Sequence, residues 1–379
     1  MSDAEIHWTD ETGAARSAPW RSESAAPAPR RVQLADDRMP ADQAFRLVSE
    51  GSALLWQGDF QNARQLLQAL TRRIARKPKK AGANLTESFN LHRMAQAQRA
   101  RSLGLLLIPF DANYRIPLRR APDVQAACAE AYGPAEGPFV VSLRELLGLI
   151  GAHEWRKKGV EIPTLGARIH PHYGVFSPVR GEYVDLVARA PLPKALDQQG
   201  IAVDVGTGTG VLAAVLAKRG VRRIIATDQD ERALACAADN VKRLGFDARI
   251  ELRRADLFPA EHAALIVCNP PWLPAKPSSP LEYAVYDPDS RMLRGFLQGL
   301  AAHLAPGGEG WLILSDLAEH LGLRSRAQLE SWFAEAGLKV LDRLDIRPRH
   351  GKAADPDDPL HAARKAERTS LWRLGRTEG

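Results

Sequence analysis

The chain has 379 residues, 45% of them hydrophobic, with a net charge of +7 and a sequence pI near 9.4. That length exceeds one ordinary core, so two domains are expected. No apolar run reaches bilayer length and the N-terminus lacks the apolar core of a signal peptide, which excludes a helical membrane protein and points to a soluble, cytoplasmic one. Cys128, Cys236 and Cys268 are scattered with neither disulfide nor metal-ligand spacing, so reduced structural thiols and no metal are expected.

Residues 1–38 are rich in Ala, Pro, Ser and charge ("ARSAPWRSESAAPAPRR") without a visible period, and a disordered tail is expected. Residues 39–158 read as a mainly helical, basic, substrate-recognition domain. "ADQAFRLVSEGSALLWQ" and "FQNARQLLQALTRRIAR" space their apolar residues three and four apart, and "FVVSLRELLGLIGAHEWRKKG" reads as a further helix. "RSLGLLLIPF" is open between a buried strand and a helix end. From Arg64 to Arg120 there are thirteen Lys or Arg against two acids, Glu87 and Asp111, densest in "TRRIARKPKK". This is either a solubilising surface or an electrostatic footprint for nucleic acid, RNA in the first place. Residues 159–199 read as a loop-like connector that folds against the next domain.

From residue 200 to 379 strand alternates with helix. "GIAVDVG", "RRIIATD", "ARIELRRAD", "AALIVCN", "GWLILSD", "LKVLDRLDI" and "TSLWRL" read as strands, with helical segments between most of them. This pattern predicts an α/β domain with a mainly parallel sheet covered on both faces, whose ligands bind at the carboxyl ends of the strands. The chemistry is then expected near Asp204, Asp228, Asp256 and Asn269.

"VDVGTGTG" (Val203–Gly210) is a glycine-rich strand-to-helix turn. A dinucleotide fingerprint places its third glycine one residue later and tolerates no acid before the first glycine. Here Gly210 comes early and Asp204 precedes Gly206, which disfavours a nicotinamide-dependent dehydrogenase and suits a ligand with an ammonium group. Asp228, at the next strand end, is placed to accept ribose hydroxyls. Asp256 is placed to accept an adenine amine, and Leu257 to pack on the purine. An ammonium, a ribose and an adenine together describe S-adenosylmethionine.

At the fourth strand end stands "NPPW", Asn269, Pro270, Pro271 and Trp272. A planar amine or amide nitrogen is a poor nucleophile. Two acceptors, the Asn269 side-chain oxygen and the Pro270 carbonyl, would grip its hydrogens and aim its lone pair. The prolines fix φ and bring no competing N–H, and Trp272 offers a flat face for stacking.

These motifs, in this order, make the segment from about Gly174 to Leu374 resemble the class I S-adenosylmethionine-dependent methyltransferases. The likeness is to the small-domain group of N-methyltransferases, which includes ribosomal-RNA guanine and adenine enzymes and release-factor glutamine enzymes. The resemblance implies a Rossmann-like seven-stranded sheet with an antiparallel last strand. It assigns S-adenosyl-L-methionine to Asp204, Gly206, Thr207, Gly208, Gly210, Asp228, Asp256, Leu257 and Asn269, with Asn269, Pro270, Pro271 and Trp272 catalytic. The family's usual aromatic in this motif is Tyr or Phe, so Trp272 departs from it and leaves the acceptor's size and identity open. "YGVFSPVRGEYVDLV" (Tyr173–Val187) is similar to the loop before the core in that group, and Phe176 and Tyr183 are either substrate-closing or domain-packing aromatics.

The basic run favours RNA, ribosomal RNA in the first place, as the partner; the alternatives are a protein glutamine in a release factor, or an idle methyltransferase fold that binds RNA. The polar stretch Arg347–Arg368 is either a substrate loop or a surface excursion. His170, His172, His350 and His361 have no metal-like partners.

Overall fold

The structure, a computed structural model, describes residues 4–76, 82–178, 181–277, 282, 284–348, 355 and 358–377. The chain divides into two compact units. The first holds Met1–Ala81, Asn90–Glu154 and Ser278–Pro280; the second holds Gly82–Phe89, Trp155–Pro277 and Leu281–Gly379.

The first unit opens with an antiparallel hairpin, β1 (Glu5–Thr9) and β2 (Ala15–Pro19). Then come β3 (Val32–Ala35), α1 (Ala41–Ser49), β4 (Ala53–Trp56), α2 (Phe60–Ala75), all but the first turn of α3 (Leu85–Leu103), β5 (Leu106–Phe110), α4 (Gln125–Tyr132), β6 (Phe139–Ser142) and all but the last turn of α5 (Leu143–Lys158). The strands form a sheet in the order β3-β4-β5-β6, parallel but for β6. Helices dominate residues 39–158, as expected, and a sheet of short strands that the sequence reading did not resolve runs between them. The strands are four or five residues long, and in β4 and β6 every residue is buried. Such uniform apolar runs carry no alternation and merge by eye into the neighbouring helices.

The expected disordered tail is corrected. Ile6 and Trp20 are buried with Ala53, Leu55, Leu107 and Val140. Trp20 Nε1–H donates to the Ala26 carbonyl at 2.8 Å, and the Arg21 guanidinium lies 4.1 Å over the Tyr132 ring. Two large apolar anchors are enough to hold a segment whose average composition is polar.

The second unit begins with a hairpin, β7 (Val160–Ile162) and β8 (Ala167–Ile169), followed by α6 (Glu182–Arg189) and α7 (Ala195–Gln199). The segment expected to be a loop-like connector thus carries regular structure, and Ile162, Ile169, Val184 and Val187 are buried in the main core. Next come β9 (Ile201–Val205), α8 (Val211–Lys218), β10 (Arg223–Asp228), α9 (Glu231–Arg243), β11 (Ile250–Arg254), β12 (Ala263–Cys268), α10 (Arg291–His303), β13 (Leu304–Ser315), α11 (Leu317–His320), α12 (Arg326–Glu335), β14 (Leu338–Ile346), α13 (His361–Ala366) and β15 (Thr369–Arg376).

Seven strands form one sheet in the order β11-β10-β9-β12-β13-β15-β14. β9 to β13 are parallel, and β15 runs antiparallel to both its neighbours. One apolar core, with α6 and α8, covers one face of the sheet; a second, with α10 and α12, covers the other. The chain winds outward from β9 to β11 and then returns to β12 beside β9. Its topological switch point lies between those two strands, where Val205 pairs with Cys268. All three cysteines are buried free thiols. Among the described residues, no helix is long and apolar enough to cross a membrane.

Candidate active site at the switch point

The residue after β9 and the residue after β12 start the two loops that meet at this point. The first is the glycine turn. Its three glycines, Gly206, Gly208 and Gly210, all have left-handed φ, at 70°, 55° and 80°. At Gly210 the left-handed φ strains any side chain, and an added Cβ would also lie tight against Ala237 on α9, 3.3 Å from its Cβ. Backbone bonds close the turn: Thr207 N–H donates to the Thr227 carbonyl and Gly210 N–H to the Thr207 carbonyl, each at 2.9 Å.

Asp204 is 1% exposed. Its Oδ2 accepts from the Thr207 hydroxyl at 2.7 Å and from Ala213 N–H at 3.1 Å. Burial pushes its carboxyl up to about 6, against the lowering effect of those two donors, and Asp228 adds a smaller push. The sequence suggested a carboxylate facing a ligand ammonium. Those two bonds tie the glycine turn to the first turn of α8.

Asp228 stands at the end of β10. Its Oδ2 accepts from Gly208 N–H and its Oδ1 from Asp230 N–H, both at 3.0 Å. Burial raises its carboxyl above the usual range, partly offset by those donors. Asp256, after β11, is exposed. Leu257 has a left-handed φ of 70°, and its carbonyl accepts from the Thr227 hydroxyl at 2.6 Å. The sequence-derived acids thus sit at three neighbouring strand ends.

The second loop starts at Asn269. Pro270 is buried, while Asn269, Pro271 and Trp272 are half-buried. Trp272 packs against both cores of the sheet domain, and its Nε1–H donates to Asn269 Oδ1 at 2.9 Å. The corner is braced from behind. Leu273 N–H donates to the Val285 carbonyl at 3.2 Å and Asp287 N–H to the Leu273 carbonyl at 2.9 Å. Asp287 then caps α10, its carboxylate accepting from Met292 and Leu293 N–H at 3.0 and 3.1 Å. Leu273 is also buried with Leu317, Ala318, Leu321, Leu360 and Ala363. The described part of the Arg347–Arg368 stretch therefore folds against the motif loop; its remainder, with His350, lies outside the described residues.

Tyr183 is 3% exposed and packed in the core, so it is a packing residue and not one that closes on a substrate. Phe176 is 41% exposed.

Sequence reasoning missed Asn240, on α9. It is 1% exposed; its Oδ1 accepts from His170 N–H at 2.7 Å, and its Nδ2 donates to the Thr209 carbonyl at 3.1 Å. It joins the segment before the core to the glycine turn. Nearby, Asp239 Oδ2 holds His172 Nε2 and Arg156 Nη2, each at 2.9 Å. These contacts span from 31 to 83 residues of chain, and no local pattern announces them. Among the described residues there is no cluster of His, Cys, Asp and Glu able to hold a metal.

The site fits S-adenosylmethionine. The turn lets the backbone approach a ligand, with nothing within 4 Å of a Cβ added at Gly208. Asp228 is a desolvated carboxylate that gains from hydroxyl donors. When bound, this group supplies an electrophilic methyl on a sulfonium.

Residues 166–338 match the methyltransferase small domain family. A release factor glutamine methyltransferase from Cereibacter sphaeroides is 37% identical over 161 residues, 39% of this chain and 56% of that protein. A ribosomal protein L11 methyltransferase from Sorangium cellulosum is 34% identical over 117 residues, 31% of each chain. A tRNA1(Val) (adenine(37)-N6)-methyltransferase from Pedobacter heparinus is 30% identical over 135 residues, 32% of this chain and 58% of that protein. The chain spans between 31% and 58% of the length of these relatives. The sheet domain is thus similar, in motif order and over residues 166–338, to the small-domain class I S-adenosylmethionine-dependent methyltransferases.

Proposed function

We propose that this protein is an S-adenosylmethionine-dependent N-methyltransferase whose acceptor is the exocyclic amine of an RNA base. The observation that carries the reading is the juxtaposition of Asn269–Trp272 with the glycine turn, the two loops leaving adjacent parallel strands at the Val205–Cys268 pair.

Asp228 holds the cofactor ribose, and Asp256 and Leu257 its adenine. Asn269 Oδ1 and the Pro270 carbonyl accept the two hydrogens of the acceptor amine. That grip turns the nitrogen lone pair out of conjugation and toward the methyl. With S-adenosylmethionine bound, its methyl would pass to the held nitrogen as the C–S bond breaks, and the proton of the resulting methylammonium would pass to solvent. The work of these residues is positioning, which in well-oriented reactants accounts for about 7–11 kcal/mol of a barrier.

RNA is favoured by the basic residues of the first unit. The competing acceptor, a glutamine amide of a release factor, is favoured by the name of the 37%-identical relative. The test is tritiated methyl transfer from S-adenosylmethionine to a cell extract, with wild type and Asn269→Ala. Label released by ribonuclease, and lost in the variant while cofactor binding persists, is the expected result. Label released only by protease replaces RNA with the glutamine reading. An unimpaired Asn269→Ala removes the assigned role of the motif.

A further inference from the structure

Within the first unit, α2 is a helix of sixteen residues without one acid. Its apolar stripe, Phe60, Ala63, Leu66, Leu67 and Leu70, is buried. Along one edge of that stripe, Arg64, Gln68 and Arg72 recur every four residues, and all three are exposed. Together with Leu67, Thr71 and Leu147 of α5 they line an open cavity of about 320 Å³.

The charges here are not spent on folding. Arg73, one residue on, bonds Asp42 at 2.8 Å, and Arg120 bonds Asp59 at 2.7 Å. Arg64 reaches only the neutral side chain of Gln61, at 3.1 Å, and neither Arg64 nor Arg72 has a carboxylate partner among the described residues. The helix dipole accounts for cations in the last turn, where Arg72 lies; Arg64 is near the opposite end, where the dipole gives a cation nothing.

We infer that this cavity is a binding site for the phosphodiester backbone of single-stranded RNA. Arg64 and Arg72 are eight residues apart, about 12 Å along the helix at 1.5 Å per residue. Their guanidinium forks match phosphate oxygens bidentately. Gln68 and Thr71 stand between them as neutral donors and acceptors of the kind that bond sugar hydroxyls and phosphate oxygens. Leu67 and Leu147 make the floor apolar, so that a strand lies against it without desolvating another charge. Such contacts set register along a strand and do not read bases, which complements a site that acts on one base. This inference rests on the reading of RNA as the substrate.

The test is fluorescence anisotropy of the full chain with a labelled, mixed-sequence, single-stranded oligoribonucleotide across a potassium chloride series. Three proteins are compared: wild type, Arg64→Gln/Arg72→Gln, and the control Arg16→Gln/Arg38→Gln. The control removes the same charge from two exposed arginines that bond Asp10 and Asp36. Each phosphate contact on a single strand adds roughly 0.7 to the slope of log affinity against log salt. The groove variant is expected to lose about 1.4 of that slope and to bind at least about tenfold more weakly at low salt, with its melting temperature and cofactor affinity unchanged. The control keeps the wild-type slope.

A wild-type slope in the groove variant overturns the site while leaving RNA as the substrate. Equal losses in both variants reduce the effect to net charge and also overturn it. If the wild type shows no salt-dependent RNA binding and the methyl label is released only by protease, the RNA reading falls and takes the site with it.

Discussion

Trp272 holds Asn269: the indole Nε1–H donates to the Asn269 side-chain oxygen at 2.9 Å, across three residues of one rigid corner. The bond decides which end of the amide is oxygen. It uses one of the two lone pairs and leaves the other for an acceptor amine. The indole is itself clamped by both cores of the sheet domain, so Trp272 is a positioning residue for Asn269. Trp272→Phe keeps a ring and removes the donor. One hydrogen bond of this kind is worth about 1 kcal/mol, so kcat for methyl transfer is expected to fall by about five- to tenfold, with the affinity for S-adenosylmethionine unchanged. Steady-state transfer and calorimetry on the same preparation check this. An unchanged kcat would show that the bond does not orient the amide.

Asp228 divides its two oxygens between Gly208 N–H and Asp230 N–H, and in the proposed complex it also accepts ribose hydroxyls. Hydrogen bonds to a charged group are worth roughly 1.5–3 kcal/mol each. Asp228→Ala is therefore expected to weaken S-adenosylmethionine binding by at least about 100-fold, and Asp228→Asn, which keeps one acceptor oxygen, by less. Titration calorimetry measures both, and NADH should show no heat with either variant or with wild type. Tight binding of NADH would overturn the cofactor assignment.

Trp20 is 6% exposed in a segment whose composition reads as disorder. Deleting a buried indole costs about 3–5 kcal/mol, so Trp20→Ala is expected to lower the unfolding free energy of the first unit by that amount. Denaturant unfolding of the full chain measures it. No change would mean that the N-terminal segment adds nothing to the fold.

The same residue shows where the sequence was legible and where it was not. Asp204, Asp228 and Asn269 are each announced by a local rule, a polar residue closing an apolar strand before a helix, so the switch point could be located without coordinates. β4, β5 and β6 obey no local rule. Their residues are apolar on both faces because the sheet is covered on both, and only tertiary pairing separates them from α1, α3 and α5. Asn240 joins His170 to Thr209 across gaps in the chain that no motif spans. The partners of Asp204 are hidden from sequence for a similar reason, since Thr207 and Ala213 become its neighbours only once α8 has folded back over the turn.

Asp204 gives the pH prediction. Its carboxyl stands near 6 in the folded chain and near 3.8 when exposed. Between those values the folded state holds a proton that the unfolded state has lost. Stability therefore falls as pH rises through that window, and above about pH 6 the whole cost is present. Two units correspond to about 3 kcal/mol, an order-of-magnitude figure for a buried group. Asp204→Asn has no proton to lose, and its Oδ1 can still accept from Thr207 and Ala213. Its new N–H pair adds a cost that does not depend on pH, so the readout is the curve and not the offset. Urea unfolding of wild type and variant from pH 4 to pH 7 is expected to show the difference moving in favour of the variant by about 3 kcal/mol, with equal m-values. Parallel curves would mean that Asp204 is ionised in the fold without penalty, and that the turn supplies a positive charge or water the carboxylate can see.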